Sequence, residues 1–559
     1  MLDLAANPFF LDESQQKWVK ETLSAMSVEE KIGQLFCEIS YCRPEEFREY
    51  FSEIQPGGIM FRPNRPEVIQ DYIDRYQAKS KLPLLFAANL ERGANGIYDN
   101  GTYYGSEMQV AATNDDECGR QLGAVCGRES AAVGLNWSFA PVVDLDYNFL
   151  SPITNMRTFG TDPEKVIRMA KGYMKGIRPY HVASTLKHFP GDGMDFRDQH
   201  KVASVNTKSM EDWDATYGKV YRALIDEGAE CVMSAHIKLP AYSKHFSPDV
   251  ADRDVLPASL SYELNVKLLR EKLGFNGLIV SDDTHMAGFM ACMEREKAVP
   301  MCIASGVDMF LFTVDHKEDV AWMKKGYEDG VITPERLEEA VARILALKAK
   351  LHLHEKDRGR IPGIDSSAVA CREHADLAYE CADKAVTLVK DRDDILPLSP
   401  KKYKRILLRS IDYYATGRCD NCPQYEKFKQ SLLDEGFEVD ELNLGNMPAI
   451  DVLGVSIQKL KERYDLMIYF AGARAGFRIQ WKADVCGDIP NYVKEIPTLA
   501  VSFGSPYLLM DMPMVGTYIN AYSESDFTRK AVVEKLMGRS EFKGVSPVDP
   551  FCGMWDLPL

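Results

Sequence analysis

The fold is indicated by the stretch "VASTLKHFPGD" (182–192), in which a mainly apolar run ends in charged residues and a Pro-Gly turn. Short runs of this kind are typical of buried strands, and a Pro-Gly pair marks the turn that ends a strand. Similar stretches are "FAANLER" (86–92), "MSAHIK" (233–238) and "LIVSDD" (278–283). In each of them the apolar part comes first and the polar part last.

Eight apolar runs occur in the first 315 residues and are separated by stretches with helical patterning. The runs span residues 33–39, 57–62, 83–90, 136–145, 182–189, 231–237, 277–283 and 309–314. Strands alternating with helices indicate a parallel sheet covered on both faces, and eight such units fit a (β/α)8 barrel. Catalytic groups of a barrel lie at the C-terminal strand ends, so the polar residues there predict an active site, although ordinary strands also end at polar loops.

A second α/β pattern follows this region. A helix is predicted over 333–351, and a stretch rich in charge, Pro and Gly at 354–367 indicates a linker. Further strands are predicted at 385–390, 405–411, 465–472, 498–504 and 517–522. We therefore predict an α/β protein with a barrel domain at 1–352, a linker at 353–372 and a second domain at 373–559.

The composition excludes some classes of protein. A net charge of −16 argues against a general nucleic-acid binder, because phosphate contacts need an excess of Lys and Arg. No apolar run approaches the roughly 20 residues that span a bilayer, so no membrane partner is expected. The N-terminal residues lack the pattern of a signal peptide. The 13 cysteines are an odd number, so they cannot all form disulfides within the chain. These features favour a cytoplasmic protein with free thiols.

The sequence gives little support for a metal or for two other catalytic designs. Cys419 and Cys422 ("CDNC") form half of a zinc pattern without a second half, so two ordinary thiols are the simpler interpretation. His188, His200 and His236 could bind zinc, but no HExxH motif is present. A phosphate-binding P-loop and the nucleophile elbow of a serine hydrolase are also missing. We expect no cofactor.

Acid/base chemistry is favoured by two stretches. In "DQH" (198–200), Asp198 can hydrogen-bond one ring nitrogen of His200 and leave the other nitrogen for proton transfer; a loop salt bridge is the alternative. Asp282 and Asp283 end an apolar strand, so one carboxylate can point into the barrel mouth. A carboxylate nucleophile opposite a protonatable group is the arrangement of retaining glycoside hydrolysis.

These stretches carry a resemblance to a known family. "KHFPGDG" followed by "DQH", together with "APVVDL" (140–145), "NMRTFGTDPEKV" (155–166) and "GLIVSDD" (277–283), resembles family 3 glycoside hydrolases, and within them the NagZ type of β-N-acetylglucosaminidase. The similarity covers most of residues 25–350, and 382–399 and 496–509 resemble the second domain of the family. The resemblance implies a TIM-like barrel followed by an α/β sandwich.

The resemblance also implies roles for individual residues. It makes Asp282 the nucleophile, His200 the acid/base group and Asp198 the partner of that histidine. For Asp283 and His285, packing and hydrogen bonding around the nucleophile are the preferred interpretation.

A second set of residues is expected to hold the sugar. Lys187, His188 and Arg157 match positions that bind sugar hydroxyls in the family. Asn89 occupies the position of an aspartate with the same task. His236 lies at a strand end, where it either lines the pocket or supports it from behind.

Three departures affect the predicted sugar. The family loop "DQEGGRVQR" is "NLERGANGI" (89–97) here, with Asn89 in place of Asp and Ile97 in place of Arg. Asp192 replaces the histidine of a "PGHG" turn. Asn89 can hydrogen-bond but carries no charge. N-acetylglucosamine is therefore the expected sugar, with another hexosamine or a modified sugar as alternatives.

The predicted function is that of a retaining β-N-acetylhexosaminidase acting through a covalent glycosyl-aspartate. Its expected partner is a small carbohydrate with a terminal amino sugar, from an oligosaccharide or a muropeptide. A neutral imidazole does not repel an anion, so transfer to phosphate by a β-N-acetylglucosaminide or β-glucoside phosphorylase remains open, with water as the default acceptor. A β-glucosidase, which would take its acid from a second-domain Glu and lack the dyad, and a non-catalytic sugar-binding barrel are further alternatives.

Overall fold

The computed structural model describes residues 2–355, 367–411, 423–441, 456–472 and 490–559. By their contacts, these residues divide into two compact units. One comprises Met1–Tyr103, Gly119–Asn148 and Pro163–His374, and the other Tyr104–Cys118, Phe149–Asp162 and Ala375–Leu559. The boundaries expected from sequence stay a prediction, and residues 356–366 of the expected linker lie outside the described residues.

Eight parallel strands close a barrel within the described part of the first unit. The strands are β1 Phe36–Ser40, β2 Gly58–Phe61, β3 Leu85–Ala88, β4 Trp137–Ser138, β5 Thr185–Phe189, β6 Cys231–Ser234, β7 Leu278–Ser281 and β8 Phe310–Leu311. Regular pairing joins β8 to β1 and continues through β4, and a second sheet joins β5, β6 and β7. Single bridges at Val142–Lys187 and Val280–Met309 connect the two sheets. The predicted (β/α)8 barrel is confirmed.

The barrel strands are buried along their length because helices cover them from outside. Each of β1, β2 and β3 is buried at every position, which explains their mainly apolar sequence. Gly57 precedes β2 where chains approach closely: a Cβ there would lie 2.2 Å from the carbonyl oxygen of Gln34. Glycine is required at this position by the close approach of the C-terminal end of the helix Val28–Gln34.

The helices alternate with the strands as predicted. The described α-helices are Glu13–Ala25, Val28–Gln34, Pro44–Glu49, Pro66–Lys79, Glu107–Ala112, Asp116–Ala131, Pro163–Ile177, Met210–Ala215, Tyr217–Asp226, Pro240–Phe246, Ala287–Met290, Arg295–Ala304, His316–Glu328, Pro334–Lys350, Arg372–Ala385, Pro423–Asp434, Ile457–Arg463 and Asp526–Leu536. The helix predicted at 333–351 begins after Thr333, whose hydroxyl accepts a hydrogen bond from the Arg336 amide. In the described part of the chain, no helix combines the length and apolarity that crossing a membrane requires.

The second unit contains a six-stranded sheet among its described residues. Its strands are β9 Thr387–Asp391, β10 Arg405–Ile411, β11 Glu438–Glu441, β12 Leu466–Ala471, β13 Thr498–Ser502 and β14 Thr517–Asn520. The spatial order is β9-β14-β13-β12-β10-β11, and only the β9–β14 pair among these is antiparallel.

Both faces of this second sheet are covered. Ile406 and Phe470 belong to one buried apolar cluster, whereas their neighbours Leu407 and Tyr469 belong to another. Because side chains alternate along a strand, the two clusters lie on opposite faces of the sheet. The predicted α/β sandwich is confirmed.

A buried lysine lies between the last barrel helix and the start of the barrel. Lys348 is fully buried, and its ammonium donates to the side-chain oxygen of Gln34 at 2.6 Å. Burial lowers the pKa of Lys348 to about 7 because the charged form loses hydration. The ammonium of Lys348 therefore loses its proton at a lower pH in the folded chain than in the unfolded chain.

This lysine predicts a pH dependence of stability. Unfolded lysine has a pKa of about 10.4, so between pH 7 and 10 the unfolded chain binds a proton that the folded chain lacks. The free energy of unfolding then rises with pH, by up to about 1.4 kcal/mol per pH unit from this group. Urea unfolding should show the wild type gaining stability relative to Lys348→Met from pH 7 to pH 9. Lys20→Met, at an exposed lysine, is the control and should follow the wild type. The prediction is contradicted if the free energy of unfolding of Lys348→Met changes with pH as much as that of Lys20→Met.

Candidate active site

Most of the sequence-predicted site residues lie at or beyond the C-terminal ends of the barrel strands. They are Asn89 after β3, Lys187 and His188 in β5, Asp198 and His200 in the following loop, His236 after β6 and Asp282 after β7. The C-terminal ends of parallel barrel strands meet at one face, where catalytic groups of such barrels are found. Arg157 belongs to the second unit, and its role stays a prediction.

Asp282 is a buried carboxylate with one uncommitted oxygen. Its side chain follows β7 directly, and the residue is 6% exposed. The Asp282 amide donates to the carbonyl of Ser234 at the end of β6, at 2.9 Å. Oδ1 accepts from the Asp283 amide at 2.8 Å, whereas buried Oδ2 has no hydrogen-bond partner among the described residues. An unpartnered oxygen in such a place is available to a reacting carbon.

The surroundings keep Asp282 ionised. Burial by itself acts to raise the pKa of Asp282, but His188, His236, the Asp283 amide and Lys187 act in the opposite direction, and the net pKa lies below its usual value. The carboxylate is therefore negative at neutral pH, as a nucleophile must be.

Asp198 and His200 form the predicted pair. Asp198 Oδ1 accepts from the His200 amide at 2.9 Å and lies 2.7 Å from His200 Nδ1. A carboxylate only accepts hydrogen bonds, so Nδ1 carries the proton and Nε2 is left for proton transfer. The His200 side chain is 52% exposed, which leaves it accessible to a substrate.

The loop that carries this pair is attached to the segment after the nucleophile. The amides of Ala287 and Gly288 donate to the carbonyl oxygens of His200 and Gln199, both at 3.1 Å. Gln199 is buried, and its side-chain oxygen accepts from the amide of His236 at 3.2 Å. The acid/base loop is thus fixed against the ends of β6 and β7.

Lys187 is held by the loop after β3. Its ammonium lies 2.7 Å from Glu91 Oε1 and donates to Asn89 Oδ1 at 3.2 Å. Sequence analysis singled out Asn89 but assigned no role to Glu91. The position of Glu91 in "NLERG", just beyond a strand end, was the signal that could have identified it.

His188 is held by Asp144, a second residue to which sequence analysis assigned no role. Asp144 Oδ2 lies 2.6 Å from His188 Nδ1, and Oδ1 accepts from the His188 amide at 3.0 Å. The bridge between Val142 and Lys187 brings the two segments together, which explains why the contact is not readable from a linear sequence. Asp144 is fully buried, so it fixes the ring of His188 rather than facing solvent.

His236 is placed as a supporting residue. It is fully buried, and its Nε2 lies 2.9 Å from the carbonyl oxygen of Asp283. Because that carbonyl only accepts, Nε2 carries the proton, and the Ser259 hydroxyl donates to Nδ1 at 2.9 Å. Burial lowers the pKa of His236, which keeps the ring neutral. Nε2 thus holds the backbone of Asp283 beside Asp282, and Ser259 fixes the orientation of the ring.

Asp192 and Ile97, two of the departures from the family pattern, are buried. Asp192 Oδ1 accepts from the Gly193 amide at 2.8 Å, and Oδ2 accepts from Gln199 Nε2 at 3.4 Å. Asp192 therefore helps to hold the acid/base loop through Gln199. Its effect on the choice of sugar stays a prediction.

Metal ligation has no geometric support among the described residues, which contain no group of three or more His, Cys, Asp or Glu arranged to hold an ion. The predicted half-site at Cys419 and Cys422 lies outside the described residues.

Comparisons with known proteins show which proteins this chain resembles. The profile of the "Glycosyl hydrolase family 3 N terminal domain" matches residues 27–347. A β-N-acetylglucosaminidase/β-glucosidase of Cellulomonas fimi is 43% identical over the whole of both chains. A solved β-glucoside phosphorylase, BglX, is 44% identical with a TM-score of 0.93 over 99% of each chain. A family 3 β-N-acetylglucosaminidase from Paenibacillus sp. str. FPU-7, 23% identical, shares the fold with a TM-score of 0.81 over 94% of this chain and 99% of its own.

The contact between Asp144 and His188 can be tested by mutation. Asp144→Asn removes the charge of the acceptor and presents an amide N–H to His188 Nδ1. Loss of a charge-assisted hydrogen bond predicts a decrease of about 10- to 100-fold in kcat/KM for a nitrophenyl β-glycoside. Exposed Asp212→Asn is the matched control, and circular dichroism checks the fold. Unchanged kinetics in a folded Asp144→Asn variant would contradict the assigned contact.

Proposed function

This chain belongs to glycosyl hydrolase family 3, whose members act on glycosides, and from that membership we propose that it removes terminal β-linked N-acetylglucosamine or a related hexosamine with retention of configuration. The observation that carries the proposal is Asp282: a buried, ionised carboxylate with one unpartnered oxygen at the C-terminal end of a barrel strand. The Asp198–His200 pair supplies the proton carrier that such a nucleophile needs.

In the first step of the proposed mechanism, Asp282 Oδ2 attacks the anomeric carbon and the bond from that carbon to the aglycone oxygen breaks. Protonated His200 gives its Nε2 proton to the leaving oxygen, and Asp198 stabilises the positive charge that the ring carries before the transfer. The product is a glycosyl ester of Asp282 with inverted configuration. The ring of His200 is then neutral.

In the second step, neutral His200 takes a proton from the acceptor as the acceptor oxygen attacks the anomeric carbon. The ester bond breaks and Asp282 regains its negative charge. Two inversions leave the sugar in its original β configuration. Lys187 and His188 are proposed to bind the sugar hydroxyls in both steps, each held in place by a carboxylate.

The sugar is proposed to be N-acetylglucosamine, with glucose as a second substrate. The support is that the Cellulomonas fimi relative, which is matched along its whole length, is named both a β-N-acetylglucosaminidase and a β-glucosidase. An oligosaccharide or a muropeptide is the proposed source of the terminal sugar. A cytoplasmic setting is also proposed, supported by ten free cysteines among the described residues.

A second candidate function is transfer of the sugar to phosphate. It is favoured by the name of the solved relative, a β-glucoside phosphorylase 44% identical across 99% of both chains. The chemistry of the site is compatible with it. When the acceptor enters, Asp282 is an uncharged ester and His200 is neutral, so neither catalytic group repels an anion.

Two variants test the assigned roles. His200→Ala should slow cleavage of glycosides with poor leaving groups by about 10²- to 10⁴-fold, because general acid catalysis is lost. In His200→Ala, release of dinitrophenolate in the first turnover of a dinitrophenyl glycoside should persist, because that leaving group needs no proton. Asp282→Asn should abolish both reactions. If His200→Ala leaves turnover of poor leaving groups unchanged, the dyad is assigned wrongly.

The acceptor and the sugar are tested together with a panel of nitrophenyl β-glycosides, assayed with and without inorganic phosphate. For the phosphorylase, we expect phosphate to accelerate turnover and the product to be a sugar 1-phosphate with retained configuration, detected by ³¹P NMR. A hydrolase gives free sugar at a rate independent of phosphate. No turnover of any glycoside would support the non-catalytic alternative.

A further inference from the structure

A second Asp-x-His pair lies beside the nucleophile. Asp283 Oδ1 accepts from the His285 amide at 2.9 Å and lies 2.7 Å from His285 Nδ1. The corresponding distances between Asp198 and His200 are also 2.9 and 2.7 Å. The two pairs therefore have the same internal geometry, although the resemblance to the family assigned a chemical role to only one of them.

The second pair is firmly positioned next to the first. The Thr284 amide donates to the carbonyl of Leu311 at the end of β8, at 2.8 Å, and Arg295 donates to the Thr284 carbonyl at 3.0 Å. Two residues after His285, the Ala287 amide donates to the carbonyl of His200 at 3.1 Å. Along the chain, His285 thus lies between the proposed nucleophile Asp282 and Ala287, whose amide is bonded to the proposed acid/base residue.

The hydrogen bonding of His285 differs from that of a packing residue. His236 shows the latter: it is fully buried and both of its ring nitrogens contact protein atoms. The His285 side chain is 42% exposed. Its Nδ1 carries the proton given to Asp283, and its Nε2 has no hydrogen-bond partner among the described residues. The hydrogen bond to Asp283 raises the pKa of His285, which favours the form with a proton on both nitrogens.

Two other cations at this face are already engaged with carboxylates. Lys187 lies 2.7 Å from Glu91, and Arg295 contacts both oxygens of Asp319 at 2.8 and 2.6 Å. An anionic acceptor needs an N–H donor that is not already hydrogen-bonded to a protein carboxylate. His285 Nε2 provides such a donor within the loop that carries the nucleophile.

We propose that His285, held by Asp283, binds a phosphate oxygen of the acceptor through Nε2–H. The proposal rests on the phosphate-acceptor function put forward above, and it names the acceptor-binding residue of that site. His285 takes no part in breaking the aglycone bond. It places the phosphate oxygen opposite the ester of Asp282, while His200 takes any proton that the attacking oxygen carries.

The experiment isolates the acceptor step. The enzyme is trapped as a 2-deoxy-2-fluoroglycosyl ester of Asp282, and the rate at which activity returns is measured against the concentration of inorganic phosphate. His285→Ala should raise the phosphate concentration for half-maximal reactivation about tenfold or more, because one charge-assisted hydrogen bond is lost. His285→Gln, which keeps a neutral N–H donor, should fall between the wild type and His285→Ala. The KM for the aryl glycoside in the trapping step should stay within twofold.

The outcomes are distinguishable. His245→Ala, at an exposed histidine in the helix Pro240–Phe246, is the matched control and should reactivate like the wild type. If phosphate reactivates the wild type and a folded His285→Ala equally well, the assignment of His285 is overturned while the phosphorylase function stands. If phosphate fails to reactivate the wild type and forms no sugar 1-phosphate with it, the acceptor function and this inference both fail.

Discussion

The site depends on keeping one carboxylate charged and partly unsatisfied inside the protein. A buried ionised group without full hydrogen bonding is unfavourable, and its usual response is to take up a proton. Asp282 avoids this because Lys187 and His188 in β5, the ring of His236 after β6 and the amide of Asp283 favour its charged form. These groups must themselves be held, and Asp144, Glu91 and Ser259 do so through direct hydrogen bonds or ion pairs. Asp144, Glu91 and Ser259 are thus needed because a buried, charged Asp282 must have its neighbours held in place.

The closed barrel makes this arrangement possible. Residues far apart in sequence reach one face because the strands are parallel and their ends coincide. Gln199 is an example, because its one buried side chain hydrogen-bonds both the amide of His236 and the carboxylate of Asp192. The loop that carries His200 is therefore fixed to the same strand ends that fix Asp282, so the two proposed catalytic groups are held by the same part of the barrel.

The sequence predicted the parts of the molecule that are governed by local pattern. All eight barrel strands were expected because a buried parallel strand is mainly apolar, and the Asp198–His200 pair was expected because its members are two residues apart. The strand Glu438–Glu441 was not predicted, since it is a charged, mostly exposed edge with no apolar run. The partners Asp144 and Glu91 could not be assigned either, because they meet His188 and Lys187 only when β3, β4 and β5 are side by side. A local sequence pattern identifies strands and contacts between residues close in sequence. Contacts between side chains far apart in sequence become visible only in the folded structure.

Asn89 has a consequence for the electrostatic balance of the pocket. The family pattern places an aspartate at this position, and here Lys187 is in contact with one carboxylate, Glu91, and one neutral amide. With two carboxylates the trio would carry a net negative charge, whereas with Asn89 it is electroneutral. An amide at this position makes the pocket one unit less negative without loss of a hydrogen-bond acceptor for the lysine. The field met by an approaching oxyanion is correspondingly less repulsive, so an amide at position 89 suits the proposed anionic acceptor better than a carboxylate would.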